Sequence, residues 1–196
     1  MKIGVIGTGY VGLPTGVGLA ELGNQVVCID KDEAKIEALT AGKLTIFEEG
    51  LEELFQKNVQ SKKLTFTTSM KEGVEGADVV IIAVGTPPHP VTKEADMQYI
   101  YAAAEELALC LTDYTVVADK STVPVGTGDE VDAESNLKIR QQNLMLCLCR
   151  NFCVKVLPCM TFLSRIVLSS VQTASAPLML FASFINLLRE KQRCFL

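Results

Sequence analysis

Three glycines spaced Gly7-x-Gly9-x-x-Gly12 lie near the start of the chain, and an acid, Asp30, closes the next apolar run. This set of residues can do one kind of chemistry well, which is to hold a dinucleotide. Gly7 permits a tight turn, Gly9 lets the backbone approach a pyrophosphate, and Gly12 allows a helix to pack closely on a strand. Tyr10 and Val11 complete the turn. A helix that starts there offers free N–H groups and the positive end of its dipole to the phosphates. The Asp30 carboxylate can accept both ribose hydroxyls and repels a 2′-phosphate, which favours NAD over NADP. Lys35 lies one turn into the following helical stretch, within reach of the same ribose; spacing alone reads it equally well as a solvated lysine.

The motif carries weight only if a strand precedes it and a helix follows. Both are present. "KIGVIG" reads as a buried parallel strand, and "YVGLPTGVGLAELG" has helical spacing and ends on Gly23, a candidate C-cap. "QVVCID" is a second strand and "KDEAKIEALTAG" a second helix ending at Gly42. "GLEELFQKNVQ" is a short helix, "KLTFTT" a strand, "SMKEGVEGA" a crossover, "DVVIIAVGTPP" a buried strand, "DMQYIYAAAEELALCL" a helix and "YTVVADKST" a strand. This alternation predicts an α/β fold, a Rossmann-like doubly wound parallel sheet. Two loops leave the carboxyl ends of strands, where such sheets bind ligands: Gly85, Thr86 and Pro87 in one, Ser121 and Thr122 in the other. Proline-stiffened turns of this type are also common as plain structure.

The formal net charge of -5 provides no electrostatic footprint for nucleic acid. The opening "MKIGVIGTGYVGLP" has no basic, apolar and cleavage regions in sequence, so a cytoplasmic protein with reduced thiols is expected. Composition breaks sharply along the chain. All 14 glycines fall between Gly4 and Gly128, and after Glu134 the only acid is Glu190. Two units follow: residues 1–134 as an NAD-binding domain, and residues 135–196 as a tail of different character.

The segments "MKIGVIGTGYVGLPTGVGLAELGNQVVCIDKDEAKIEAL", "GLEEL", "ADVVIIAVGTPP" and "ADKSTVPVGTGDEV" resemble the UDP-glucose 6-dehydrogenases and, more broadly, the NAD-dependent UDP-glucose/GDP-mannose dehydrogenase family. The resemblance covers about residues 1–132, and "KSTVPVGTG" is closest in form to the UDP-glucose members. It implies oxidation of a primary alcohol at sugar C6 twice, to a carboxylate, with reduction of two NAD. It makes Val11, Asp30, Lys35, Thr86 and Thr122 cofactor contacts, with Thr122 also near a catalytic water. The implied partner is a UDP-sugar; GDP-mannose and UDP-N-acetylmannosamine are alternative substrates. The family's nucleophilic cysteine sits in a "GFGGSC" segment that this sequence does not contain, so no nucleophile and no metal ligand is assigned. The family forms homodimers, and its dimer-forming and sugar-binding regions are expected to be missing here, leaving NAD binding without turnover. "LTIFEEGLEEL" departs from the family in lacking prolines near Thr45 and Glu49, which is expected to loosen that loop.

The tail holds Cys147, Cys149, Cys153 and Cys159, but Cys-x-Cys-x3-Cys-x5-Cys is not a usual zinc spacing. "APLMLFASFINLL" is too short to span a bilayer. A one-base displacement of suitable codons offers a further reading. "NFCVKVL" then reads as EFLREGA, and "NLMLCLC", "LSRIVLSS", "VQTASAP" and "SFINLLREK" likewise yield segments in the family's order. The expectation is a frameshift near residues 132–138, with a poorly ordered or adventitiously helical tail beyond it. Two other readings stand beside it: a divergent folded cap, and a non-catalytic NAD-binding module whose apolar tail serves a partner or a membrane.

Overall fold

In a computed structural model of the chain, residues 1–88, 96–112 and 115–121 are described, together with the backbone of 145–147. The strands are β1 (Lys2–Ile6), β2 (Gln25–Ile29), β3 (Leu64–Thr67), β4 (Val79–Ile82), β5 (Val116–Asp119) and β6 (Met145–Cys147). The helices are α1 (Gly12–Glu21), α2 (Glu33–Thr40), α3 (Leu51–Gln60), α4 (Met70–Val74) and α5 (Gln98–Cys110). The strands form one parallel sheet in the order β3-β2-β1-β4-β5-β6. The chain builds outward from β1 to β3, then returns to the other side of β1 as β4. The gap between the carboxyl ends of β1 and β4 is therefore the switch point of the fold.

Both sheet faces are covered, which is why the strands read as unbroken apolar runs rather than as alternating ones. On one face Leu13 and Val17 of α1, Leu39 of α2, and Leu51 and Phe55 of α3 pack with Ile3, Val5, Val79, Ile81 and Val116. On the other, Val74 of α4 and Ile100, Ala103 and Leu107 of α5 pack with Ile6, Ile29, Val80, Ile82 and Val117. Successive residues of β4 thus serve opposite cores, as the two-residue period of a strand requires.

Local signals end the helices where the sequence placed them. Gly23 closes α1 by donating to Ala20 O at 2.8 Å, and Gly42 closes α2 by donating to Leu39 O at 3.0 Å. Asp32 caps α2 by accepting from Lys35 N–H at 3.1 Å. The short crossover "SMKEGVEGA" contains a helix, α4, capped by Ser69, which accepts from Glu72 N–H at 3.3 Å. The loop lacking the family prolines is tied down: Gln56 Nε2 donates to Gly42 O at 2.6 Å, and Leu44 and Ile46 pack against the core.

Within the tail, Met145–Cys147 pair in parallel with Val116–Ala118. A sheet edge presents unpaired N–H and C=O groups that an extended segment can satisfy. The rest of residues 135–196, including Cys149, Cys153 and Cys159, lies outside the described residues. Among the described residues, no helix is long and apolar enough to cross a membrane.

Phe55 is fully buried, with its ring centroid 5.9 Å from that of Phe66. Phe55→Ala is expected to lower unfolding free energy by about 3–5 kcal/mol, read by urea denaturation. A loss below about 1 kcal/mol would show that α3 is not part of the core.

Candidate functional site

The sheet ladder continues one residue past each central strand, and this positions the loops at the carboxyl ends. Gly7 N–H donates to Ile29 O at 2.7 Å, Ala83 N–H to Ile6 O at 2.8 Å, and Lys120 N–H to Ile82 O at 2.7 Å. The turn after β1 is thereby pressed against the end of β4. Gly7 has φ +100°, and a Cβ on it would lie 2.5 Å from Ala83 O. A Cβ on Gly12 would lie 1.8 Å from Gly7 O. Both positions exclude a side chain because backbone already fills the space.

Gly9 is different. Among the described residues nothing lies within 4 Å of where its Cβ would be, and the residue is exposed. No contact among the described residues demands glycine there, and the bare backbone leaves room for a ligand. The adjacent start of α1 has no side-chain cap and no acid in its first turn, while Tyr10 and Val11 are exposed. Although Leu13 N–H donates to Gly9 O at 3.0 Å and Pro14 has no N–H, the positive end of the α1 dipole beside an open glycine fits a phosphate.

Asp30 follows β2, and its backbone N–H donates to Thr67 O at 3.3 Å. Its Oδ2 accepts from Thr8 twice, from the N–H at 2.8 Å and from the hydroxyl at 2.6 Å. Its Oδ1 accepts from Asp32 N–H at 3.1 Å. Half-burial pushes the carboxyl up, but the Thr8 hydroxyl, the Thr8 and Asp32 N–H groups and the Lys35 charge outweigh it. Asp30 is held below the usual carboxylate range. A carboxylate offers about four acceptor positions, and three are occupied. Among the described contacts, Asp30 thus keeps about one acceptor position, on Oδ1. Thr8 was not among the residues singled out from the motif, although it is nearly fully buried.

Lys35 is exposed, and its Nζ lies 3.6 Å from Asp32 Oδ2, beside the Asp30 carboxylate it stabilises. Gly85 and Pro87 are exposed and Thr86 half-buried, at the end of β4 across the switch point from Gly9. Ser121 follows β5; its N–H donates to Asp119 Oδ1 at 2.8 Å. Thr122 lies outside the described residues, so the tentative water-positioning role rests on the motif alone.

A second acid was also missed. Asp119, the last residue of β5, is 5% exposed, and neither its Oδ2 nor the Ser121 hydroxyl has a hydrogen-bond partner among the described residues. Burial pushes the Asp119 carboxyl up, only partly offset by Ser121. The signal was an acid closing an otherwise apolar strand, "VVAD". No cluster of metal-ligating side chains occurs among the described residues.

A family model described as "UDP-glucose/GDP-mannose dehydrogenase family, NAD binding domain" matches residues 1–165. UDP-glucose 6-dehydrogenase of Rhizobium meliloti (strain 1021) is 56% identical over 132 residues, covering 67% of this chain and 30% of that protein. UDP-glucose 6-dehydrogenase TuaD of Bacillus subtilis (strain 168) is 50% identical over 132 residues, covering 67% of this chain and 28% of that protein. Among solved structures, a UDP-glucose dehydrogenase from Pyrobaculum islandicum superposes with a TM-score of 0.75 at 34% identity, over 83% of this chain and 38% of its own. A GDP-mannose dehydrogenase from Pseudomonas aeruginosa gives a TM-score of 0.71 at 30% identity, over 76% and 35%. The chain thus spans less than a third of the length of these two curated relatives.

The raised Asp119 gives a pH test. Its neutral form is favoured in the fold, so its ionisation opposes folding at neutral pH and this penalty disappears as pH falls through the folded-state value. Asp119→Asn keeps an acceptor for Ser121 N–H and removes the charge. It is expected to raise Tm at neutral pH by about 2–4 °C, with the gap to wild type closing on acidification. A gap that widens as pH falls contradicts the sign.

Proposed function

Because this chain belongs to the UDP-glucose/GDP-mannose dehydrogenase family, we propose that it supplies the NAD site for oxidising the sugar C6 of UDP-glucose to the carboxylate of UDP-glucuronate. The observation that carries the cofactor reading is the open space over Gly9, flanked by the uncapped start of α1 and by the fixed Asp30 carboxylate. When bound, NAD supplies the hydride acceptor. The turn N–H groups and the α1 dipole hold the pyrophosphate. Asp30 Oδ1 accepts one ribose hydroxyl, and its charge opposes a 2′-phosphate. Gly85, Thr86 and Pro87 after β4 and Ser121 after β5 receive the part of the dinucleotide that crosses the switch point. UDP-glucose, rather than GDP-mannose, is supported by the names of the curated relatives and by the "KSTVPVGTG" segment.

For the tail we propose the boundary near residue 134, with out-of-frame translation beyond it. Support comes from the compositional break and from matches to curated relatives that run for 132 residues. The gene's nucleotide sequence over codons 130–200 is expected to encode PEFLREG in the displaced frame. A displaced frame without it overturns the proposal.

The cofactor reading is tested with Gly9→Val. Since none of the described residues occupies the space, the variant is expected to fold with a Tm close to wild type. NAD affinity by calorimetry should nevertheless fall by about tenfold or more, the equivalent of about 1.4 kcal/mol. Equal NAD affinity in a folded Gly9→Val protein would sink the assignment of this turn.

A further inference from the structure

We propose that Thr8 is the positioning residue that sets dinucleotide choice: its hydroxyl and N–H lock the Asp30 carboxylate into one orientation, so that Asp30 excludes a 2′-phosphate by fixed charge rather than by gripping the ribose. The inference rests on the NAD reading above and deepens it.

The geometry is specific. Thr8 is 1% exposed, and both of its donors converge on the same oxygen, Asp30 Oδ2, at 2.6 and 2.8 Å. A hydroxyl buried at that point has Asp30 Oδ2 as its acceptor, which holds the carboxylate in one orientation. The parallel register sets Ile6 opposite Ile29. Continuing the two chains past the strand ends brings the turn beside the acid, and Thr8 reaches it.

The consequence for recognition follows from counting acceptors. Of about four acceptor positions on the carboxylate, three are used internally. Asp30 therefore keeps a single position, on Oδ1, for a ligand. One charge-assisted bond from a ribose hydroxyl to this carboxylate supplies a part of the discrimination. An ionised carboxylate that cannot swing away, however, confronts any phosphate placed on that ribose with like charge. Among the described charges near this end of β2, Lys35 Nζ lies 3.6 Å from Asp32 Oδ2, and Lys31 pairs with Glu106 of α5 at 2.8 Å. On the β3 side, Glu72 of α4 accepts from the Thr67 hydroxyl at 3.1 Å.

The test compares NAD and NADP affinities by calorimetry for wild type, Thr8→Val and Thr8→Ser. Thr8→Val keeps the shape and the N–H but deletes the hydroxyl; Thr8→Ser restores it. The NAD:NADP preference is expected to fall by about tenfold in Thr8→Val, the scale of one lost bond to a charged group, and to return in Thr8→Ser. A folded Thr8→Val protein with unchanged preference overturns the proposal while leaving the NAD reading intact. Wild type that binds neither dinucleotide overturns both. Should Thr8→Val not fold, carbon-13 NMR of the wild-type Asp30 carboxyl decides: titration below the ordinary carboxylate range supports the lock, and titration within it removes the lock.

Discussion

The mouth of this molecule depends on backbone hydrogen bonds that run one residue beyond the strands. Gly7 to Ile29, Ala83 to Ile6 and Lys120 to Ile82 extend the parallel ladder into the loops, at 2.7, 2.8 and 2.7 Å. A parallel sheet brings all its carboxyl ends to one edge, so these bonds bring the loops after β1, β4 and β5 to a common level. With the first turn pressed on Ala83, glycine becomes compulsory at Gly7 and Gly12. The open backbone at Gly9 is what remains between them, and it is there that a ligand can enter.

Two acids lie at this edge, one just past β2 and one at the end of β5 with β1 and β4 between them, and they behave in opposite ways. Asp30 is surrounded by donors, so its charge persists. Asp119 is buried, with Oδ2 unmatched among the described residues, and burial disfavours its charge. Both side chains end or follow an apolar strand, and their residue type does not distinguish them. What separates them is the count of N–H and O–H groups aimed at each: three at Asp30, and at Asp119 the Ser121 N–H.

Much of the architecture was legible because its causes are local. Apolar runs such as "KIGVIG" and "DVVIIAV" can only be strands buried on both faces, and the helical periods between them require crossovers. Gly23 and Gly42 end helices through bonds within their own last turns. The glycine motif was legible partly for the same reason, since Gly12 answers to Gly7 O five residues back, whereas Gly7 answers to its own turn and to Ala83 O across the sheet. The sixth strand was not read from the sequence, since the pairing of Met145–Cys147 is with the edge of β5, far away along the chain.

The sequence by itself determined the α/β alternation, the dinucleotide turn and the acid expected to read the ribose, since each rests on spacing along the chain. Only the tertiary structure decided how that acid is used. Thr8 and Asp30 are 22 residues apart, and nothing in their spacing says that one holds the other. The parallel register of β1 and β2 brings them together, and burial then leaves the Thr8 hydroxyl with Asp30 as its partner.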